Sequence, residues 1–143
     1  MSGIANGEQE GWVSLENWLP QALADPSLCT YQLVIEVARP RILVIGKLGR
    51  MRFPAGRYVY TGSARRNLLA RVRRHLAKEK TLRWHIDYLL TARDVQVTDV
   101  RLSSEPECQV NQRLAGEVIM PGFGASDCRA HCGSHLKWLG EVD

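Results

Sequence analysis

The sequence has no long apolar run, since no stretch of its 143 residues approaches the ~20 apolar positions that a membrane-spanning helix needs. The N-terminal segment MSGIANGEQEGW has neither a cationic start nor an apolar core, so we expect no secretory leader. Internal repeats and low-complexity tracts are absent as well. We therefore expect a cytoplasmic protein without membrane contact. A composition of 45% apolar and 24% charged residues is typical of one folded domain at this length.

Acidic residues are scarce in the middle of the chain. From Arg39 to Arg93 there are fifteen Lys and Arg residues but only two acids, Glu79 and Asp87, whereas the rest of the chain has four basic and thirteen acidic residues. Clustered arginine is typical of surfaces that contact phosphate, so this segment predicts nucleic acid as a partner. A solvated, solubilising face is the alternative explanation of the same charges.

The apolar pattern predicts an α+β fold, with a small antiparallel or mixed sheet flanked by helices, in the order β-β-β-α-α-β-α-β. β-branched and apolar runs predict the strands, which we place at residues 30–37, 41–48, 56–62, 95–102 and 134–140. Apolar spacing of 3.6 residues and helix-start signals predict the helices, which we place at residues 67–78, 81–92 and 104–115.

Three further expectations concern how these elements are connected and bounded. The short link between residues 30–37 and 41–48 predicts that these two strands form an antiparallel hairpin, followed by a loop over RMRFPAG at residues 50–56. Ser104 and Glu107 have the spacing of a capping box at the start of the third helix. Residues 1–27 are expected to be a partly flexible extension with a short helix, and the domain itself is expected to span residues 28–143.

A strand that ends in YTGSA is followed by a helix that carries an arginine and a histidine. Arg71 and His75 are four residues apart, so they share one face of this helix, at the border of its apolar stripe. We expect both side chains to point along the domain surface beside the sheet. Arg66 and Arg73 are expected to face outward.

This segment, from Tyr60 to Ala64 and on to Arg71 and His75, resembles the second half of the motif of the GIY-YIG nucleases. Tyr31 matches the tyrosine of the first half, whereas Cys29 stands where that family has a glycine.

Further segments, RHL, WHIDYL, EC, GFGxSDC and SHL, resemble a small branch of the same family, and together they extend the likeness from Tyr31 to Leu136. The resemblance implies a GIY-YIG-type domain. It also implies a divalent-metal-dependent endonuclease that hydrolyses phosphodiester bonds of DNA, with RNA as the alternative substrate.

The resemblance assigns two charged side chains to the reacting phosphate. Arg71 matches the family's arginine, and a guanidinium suits that role because it cannot lose its proton and offsets charge that develops on the phosphate oxygens. Glu107 matches the glutamate that holds Mg²⁺ or Mn²⁺, with Glu105 as the alternative. One carboxylate suits Mg²⁺, which keeps several waters when a protein binds it.

Three side chains are candidates for the base that takes a proton from water: Tyr31, Tyr60 and His75. Each can do so if cationic surroundings lower its pKa, and the sequence does not rank them. Gly62 is expected to permit the turn from strand to helix. The residues expected to contact nucleic acid are Gly62, Ser63, Arg65, Arg66, Arg74, Lys78 and His85.

Two other functions stay open. The departure at Cys29 is compatible with a non-catalytic nucleic-acid-binding module that has a degenerate site. The four cysteines of a cytoplasmic protein are expected to be thiols or metal ligands.

The cysteine- and histidine-rich tail offers ligands for a zinc-stabilised interaction domain, namely Cys128, Cys132 and His135 with Cys108 or His131 as the fourth. The alternative explanation is a buried thiol cluster near the site, with Ser134 and His135 supporting the cleft. We expect weak nucleic-acid affinity for the domain by itself, and a protein partner or a homodimer.

Overall fold

The computed structural model describes residues 12–14, 17–64, 66–125 and 132–142, and it confirms the predicted α+β class. The strands are β1 (Trp12–Ser14), β2 (Thr30–Val37), β3 (Arg41–Ile45), β4 (Gly49–Phe53), β5 (Gly56–Ser63), β6 (Val95–Ser103) and β7 (Leu136–Gly140). The helices are α1 (Trp18–Ala24), α2 (Leu68–Leu76), α3 (His85–Leu90) and α4 (Glu107–Arg113). In the described part of the chain, no helix is both long enough and apolar enough to cross a membrane.

Five strands form one antiparallel sheet in the order β1-β6-β2-β5-β7. The central strand β2 is buried along nearly its whole length, because it is paired on both sides and covered on both faces. One face carries Leu33, Ile35 and Tyr58, which pack with Val72 of α2 and Leu89 of α3 in the main core. α4 contacts β5 and β2 next to the ends of these strands.

The predicted hairpin between β2 and the following strand is wrong. β2 pairs with β5 and β6, while β3 pairs with β4 in a separate two-stranded sheet, so residues 50–53 lie in a strand rather than a loop. The chain reverses after Ile45 because Gly46 and Gly49 adopt positive φ angles of 48° and 94°. In the resulting hairpin Ile42 and Val44 are 56% and 61% exposed, so it lies at the periphery and leaves β2 to the central sheet.

The predicted helices at residues 81–92 and 104–115 are shorter in the structure, where they are α3 and α4. The expected capping box in the third helix is wrong, because Pro106 stands at the N-cap position of α4 and no side chain caps it. The Glu107 carboxylate is directed at two other segments of the chain instead of the helix terminus. The spacing of Ser104 and Glu107 fits a capping box, and the same Glu107 also fits a site carboxylate. Only the packing of α4 on β5 decides between these two roles.

The region expected to be an extension contributes to the fold where the structure describes it. β1 pairs with β6 at the edge of the sheet, and α1, the short helix expected there, packs on α2 and β6. Trp18 anchors α1, since its side chain is only 4% exposed. The expectation of flexibility falls on residues 1–11, which lie outside the described residues.

Candidate active site

The ends of β2 and β5 bring the two halves of the tyrosine-containing pattern together. Tyr31 lies opposite Gly62 in the antiparallel register, and Thr30 lies opposite Ser63. A Cβ atom on Gly62 would lie only 2.5 Å from both Cζ and Oη of Tyr31. Gly62 is therefore needed because the tyrosine ring lies directly over its backbone.

The expectation that Gly62 permits the turn into the helix is wrong. Gly62 lies within β5 and does not have a positive φ angle. Among the described residues between β5 and α2, Asn67, which immediately precedes α2, has a left-handed conformation with φ of 59°. Asparagine is one of the few side chains that tolerate this conformation, so the turn needs no glycine.

Tyr31 and His75 form a buried hydrogen-bonded pair. The Tyr31 hydroxyl lies 2.7 Å from Nε2 of His75, and the two side chains belong to β2 and α2. His75 is only 2% exposed, so the expectation that it points along the surface is wrong. It lies beneath Arg71, and its ring packs on Trp84 at a centroid distance of 5.7 Å.

Arg71 lies above this pair and is held on three sides. Its guanidinium donates a hydrogen bond of 3.2 Å to the main-chain oxygen of Ser63, and it interacts with the Tyr31 hydroxyl. Its Cζ lies 4.6 Å from the centroid of the Trp84 ring, which is a cation–π distance. Arg71 is half-buried, so part of this residue remains accessible to solvent.

Trp84 is itself fixed by a second arginine, and sequence reasoning missed this role. The Arg74 guanidinium lies 4.4 Å from the same ring and donates two hydrogen bonds of 2.9 Å to the fully buried carboxylate of Asp87. That carboxylate also accepts the main-chain N–H groups of Arg83 and Trp84. The sequence did contain a signal for this role: Arg71 and Arg74 are three residues apart on α2, so both cations can lie over one ring.

Glu107 reaches the same end of β5 from the other side. Its Oε1 accepts a hydrogen bond of 2.7 Å from the Ser63 hydroxyl, and its Oε2 lies 3.1 Å from Nδ1 of His135. Arg71 bonds to the main-chain oxygen of Ser63 while Glu107 bonds to its side chain. The expected cationic and anionic groups therefore converge on one residue, although they are far apart in the sequence.

Burial and neighbouring charges set the protonation states of these groups. Burial alone would raise the pKa of the Glu107 carboxyl, but hydrogen bonds from His135 and Ser63 and the charge of Arg71 lower it overall. Burial raises the pKa of Tyr31, against the opposing charge of Arg71. Burial and the charge of Lys80 lower the pKa of His75 to about 3, so its imidazole is neutral where it meets the Tyr31 hydroxyl.

Tyr60 forms a wall of the site. Its ring lies 6.4 Å from that of Tyr31 and 6.1 Å from that of His75, measured between centroids, and its other neighbour is Phe123. Burial raises the pKa of its hydroxyl well above the ordinary value. Gly124 lets the loop approach this ring, because a Cβ there would lie 2.8 Å from Cε1 of Tyr60.

The residues expected to contact nucleic acid differ in their exposure and in whether the protein itself already binds their side chains. Arg66 is exposed just before α2. Lys78 donates to the main-chain oxygens of Leu90 and Val95, and His85 accepts the N–H of Gly124 at 2.9 Å. Lys78 and His85, like Arg74, therefore already have protein partners, and Arg65 lies outside the described residues.

Two sets of side chains could hold a metal ion. Glu107 offers an ionised carboxylate beside Ser63. Separately, Cys108, Cys132 and His135 each place one ligating atom within 4.8 Å of the others. Cys128, which was expected to join the second set, lies outside the described residues.

The buried neutral imidazole of His75 predicts a pH dependence of stability. Between about pH 6.5 and about pH 3 the unfolded chain binds a proton that the folded chain does not, so the free energy of unfolding should fall as pH falls through this range. One such proton corresponds to a slope of about 1.4 kcal/mol per pH unit.

Urea unfolding of the His75→Gln variant should show a shallower slope than the unaltered protein between about pH 5 and about pH 7. His85→Gln is the matched control, because His85 is less buried and should change the slope less. Equal slopes for the unaltered protein and His75→Gln would contradict a buried neutral imidazole at this position.

Comparison with protein families gives one match. The family described as "Domain of unknown function DUF123" matches residues 30–143, which include every described residue of the site. Searches of the curated proteins and of the solved structures found no match.

Proposed function

We propose that the chain, which belongs to the DUF123 family of unknown function, is a divalent-metal-dependent endonuclease that hydrolyses phosphodiester bonds of DNA. The observation that carries the proposal is the convergence of Arg71 and Glu107 on Ser63. With both groups at one strand end, the fixed cation can contact a phosphate while the ionised carboxylate binds the metal ion on that phosphate. The basic stretch around this strand end supports a polyanionic substrate.

Arg71 is proposed to stabilise the charge that develops on the phosphate during hydrolysis. Its hydrogen bond to Ser63 and its contact with Trp84 fix the guanidinium before substrate arrives. A donor that is already oriented costs no reorganisation in the transition state, and this is why such groups contribute strongly to catalysis. Trp84 and Arg74 act as positioning residues for this guanidinium.

Glu107 fits a hard divalent ion such as Mg²⁺ or Mn²⁺. Its lowered pKa keeps the carboxyl ionised at neutral pH, and its side chain is 30% exposed. Each carboxylate oxygen has acceptor capacity beyond the one bond that it receives from the protein. Mg²⁺ is commonly held by one or two carboxylates together with water. When bound, the ion would stabilise negative charge on the leaving oxygen.

The Tyr31–His75 pair is proposed to position the attacking water rather than to take its proton. Burial raises the pKa of the Tyr31 phenol and lowers the pKa of the His75 imidazole to about 3, so transfer of the phenol proton to the imidazole would be strongly unfavourable. The hydrogen bond between the two side chains and the Arg71 charge beside the phenol hold the Tyr31 oxygen at the site. Tyr60 is proposed as a wall of the pocket.

The direct test is cleavage by the purified, unaltered protein. We expect supercoiled plasmid to be converted to nicked circles with Mg²⁺ or Mn²⁺ and to remain intact with a chelator. Affinity for a labelled DNA duplex should fall as salt rises, because the phosphate contacts release counterions. A matched RNA duplex in both assays tests the substrate class.

Two results would replace this proposal. Salt-dependent binding without nicking under either ion would assign a nucleic-acid-binding module with an inactive site. Affinity that does not fall with salt would contradict contact with the phosphate backbone altogether.

A further inference from the structure

Three ligating side chains from two distant segments meet beside the start of α4. Cys108 is the second residue of that helix, while Cys132 and His135 precede β7. Their ligating atoms all lie within 4.8 Å of one another, and His135 is only 2% exposed. Ligand atoms around a tetrahedral Zn²⁺ are about 3.6–3.8 Å apart, so side-chain adjustments of about an ångström would close the cluster around an ion.

The hydrogen bonds of His135 determine which ring nitrogen can bind a metal. Nδ1 lies 3.1 Å from Oε2 of Glu107 and 3.2 Å from the main-chain oxygen of Thr61. Both neighbours are acceptors, so Nδ1 carries the proton and the lone pair of the neutral ring is on Nε2. Metal-binding histidines are held in the same way, with the second ring N–H donated to a carboxylate or a carbonyl.

Two polar side chains lie beside Cys132. Nε2 of Gln112 donates to its Sγ at 3.5 Å, and Lys137 is close enough for an electrostatic interaction with this cysteine. Lys137 is held in place because its ammonium donates to the main-chain oxygens of Asn111 and Leu114. Two thiolates also neutralise a divalent ion, so a metal would add no net charge to this half-buried position.

We propose that Cys108, Cys132 and His135 form a site for Zn²⁺, with the fourth coordination position taken by water. Two sulfur ligands and one imidazole favour Zn²⁺ over the hard ions that suit Glu107. The ion would tie the first turn of α4 to the segment before β7, and it would orient the ring that donates to Glu107. This site does not depend on endonuclease activity.

Cobalt(II) and zinc titrations of metal-free, reduced protein without a histidine tag test the site. We expect one equivalent of Co²⁺ to give the intense visible bands of a tetrahedral thiolate complex, and Zn²⁺ to displace it. Cys108→Ser and Cys132→Ser should each weaken binding at least 100-fold. Cys29→Ser is the matched control, because Cys29 is also half-buried and is not one of the three ligands.

A second measurement separates ligation from folding. Zn²⁺ should raise the melting temperature of the unaltered protein and of Cys29→Ser, and it should leave those of Cys108→Ser and Cys132→Ser unchanged. Glu107→Gln should weaken Zn²⁺ binding by about 10- to 100-fold, because it alters the partner of the histidine ligand.

The proposal is overturned if the reduced protein does not bind either ion, or if the two serine variants bind as the unaltered protein does. It is also overturned if air oxidation forms a disulfide between Cys108 and Cys132 and the reduced cysteines do not bind metal. The cluster would then be a redox pair. No DNA is present in these experiments, so their outcome is independent of the nicking assay.

Discussion

Replacing Arg71 with lysine is expected to slow metal-dependent nicking by about 100- to 1,000-fold, because loss of one fixed transition-state donor commonly has this effect. Lysine retains the positive charge, so affinity for DNA should change little. It lacks the planar fork that allows one side chain to bond Ser63 and lie against Trp84 at the same time. The measurement is the single-turnover nicking rate beside the salt-dependent affinity of each variant.

Arg73→Lys is the matched control for this prediction, because Arg73 lies on the exposed side of the same helix. Glu107→Gln should reduce nicking to a similar degree, whereas Glu105→Gln should have little effect. Glu105 pairs with Arg113 at the surface, where its side chain is 46% exposed. Equal losses in Arg73→Lys and Arg71→Lys would show that the helix needs only general positive charge, and the assignment of Arg71 would then be wrong.

The largest effect on stability is expected for Asp87→Ala. The carboxylate is completely buried and accepts four hydrogen bonds, two of them from the Arg74 guanidinium. Burial alone would raise the pKa of Asp87, but the bonds from Arg74, Trp84 and Arg83 lower it overall. Removing one partner of a buried ion pair leaves the other charge uncompensated, which typically lowers the free energy of unfolding by about 3–5 kcal/mol.

Urea unfolding at neutral pH measures this loss. Glu105→Ala is the control, since it removes an exposed ion pair and should change the free energy of unfolding by less than about 1 kcal/mol. Asp87→Ala should also lower the nicking rate, because it releases Arg74 and with it one face of the Trp84 ring that positions Arg71. A change below about 1 kcal/mol for Asp87→Ala would contradict the proposed role of the buried pair.

Local sequence was sufficient for the elements whose own pattern is strong. The strand at residues 30–37 and the helix beginning near Leu68 were predicted within one or two residues, because continuous burial and 3.6-residue spacing are local signals. Pairing was not predictable in the same way. The short link before Arg41 favoured a hairpin with β2, but the glycines at 46 and 49 place the reversal elsewhere, and β2 takes its partners from later strands.

For the candidate site, the sequence identified Tyr31, Arg71 and Glu107 as chemically suited side chains, and the resemblance to the GIY-YIG nucleases connected them. It did not identify Trp84 as the support of Arg71, and it placed His135 at the cleft without its bond to Glu107. A cation–π contact and a histidine–carboxylate bond depend on where α3 and the segment before β7 pack, and no spacing rule encodes that.

The sequence by itself determined the α+β class, the basic stretch from Arg39 to Arg93 and the helix that carries Arg71, since each follows from composition or from short-range periodicity. Tertiary structure alone decided that His75 is buried and neutral, that Gly62 is required by the Tyr31 ring, and that the cation and the carboxylate meet at Ser63. The physical reason is that desolvation, close packing and hydrogen bonding between distant segments exist only once the sheet has assembled.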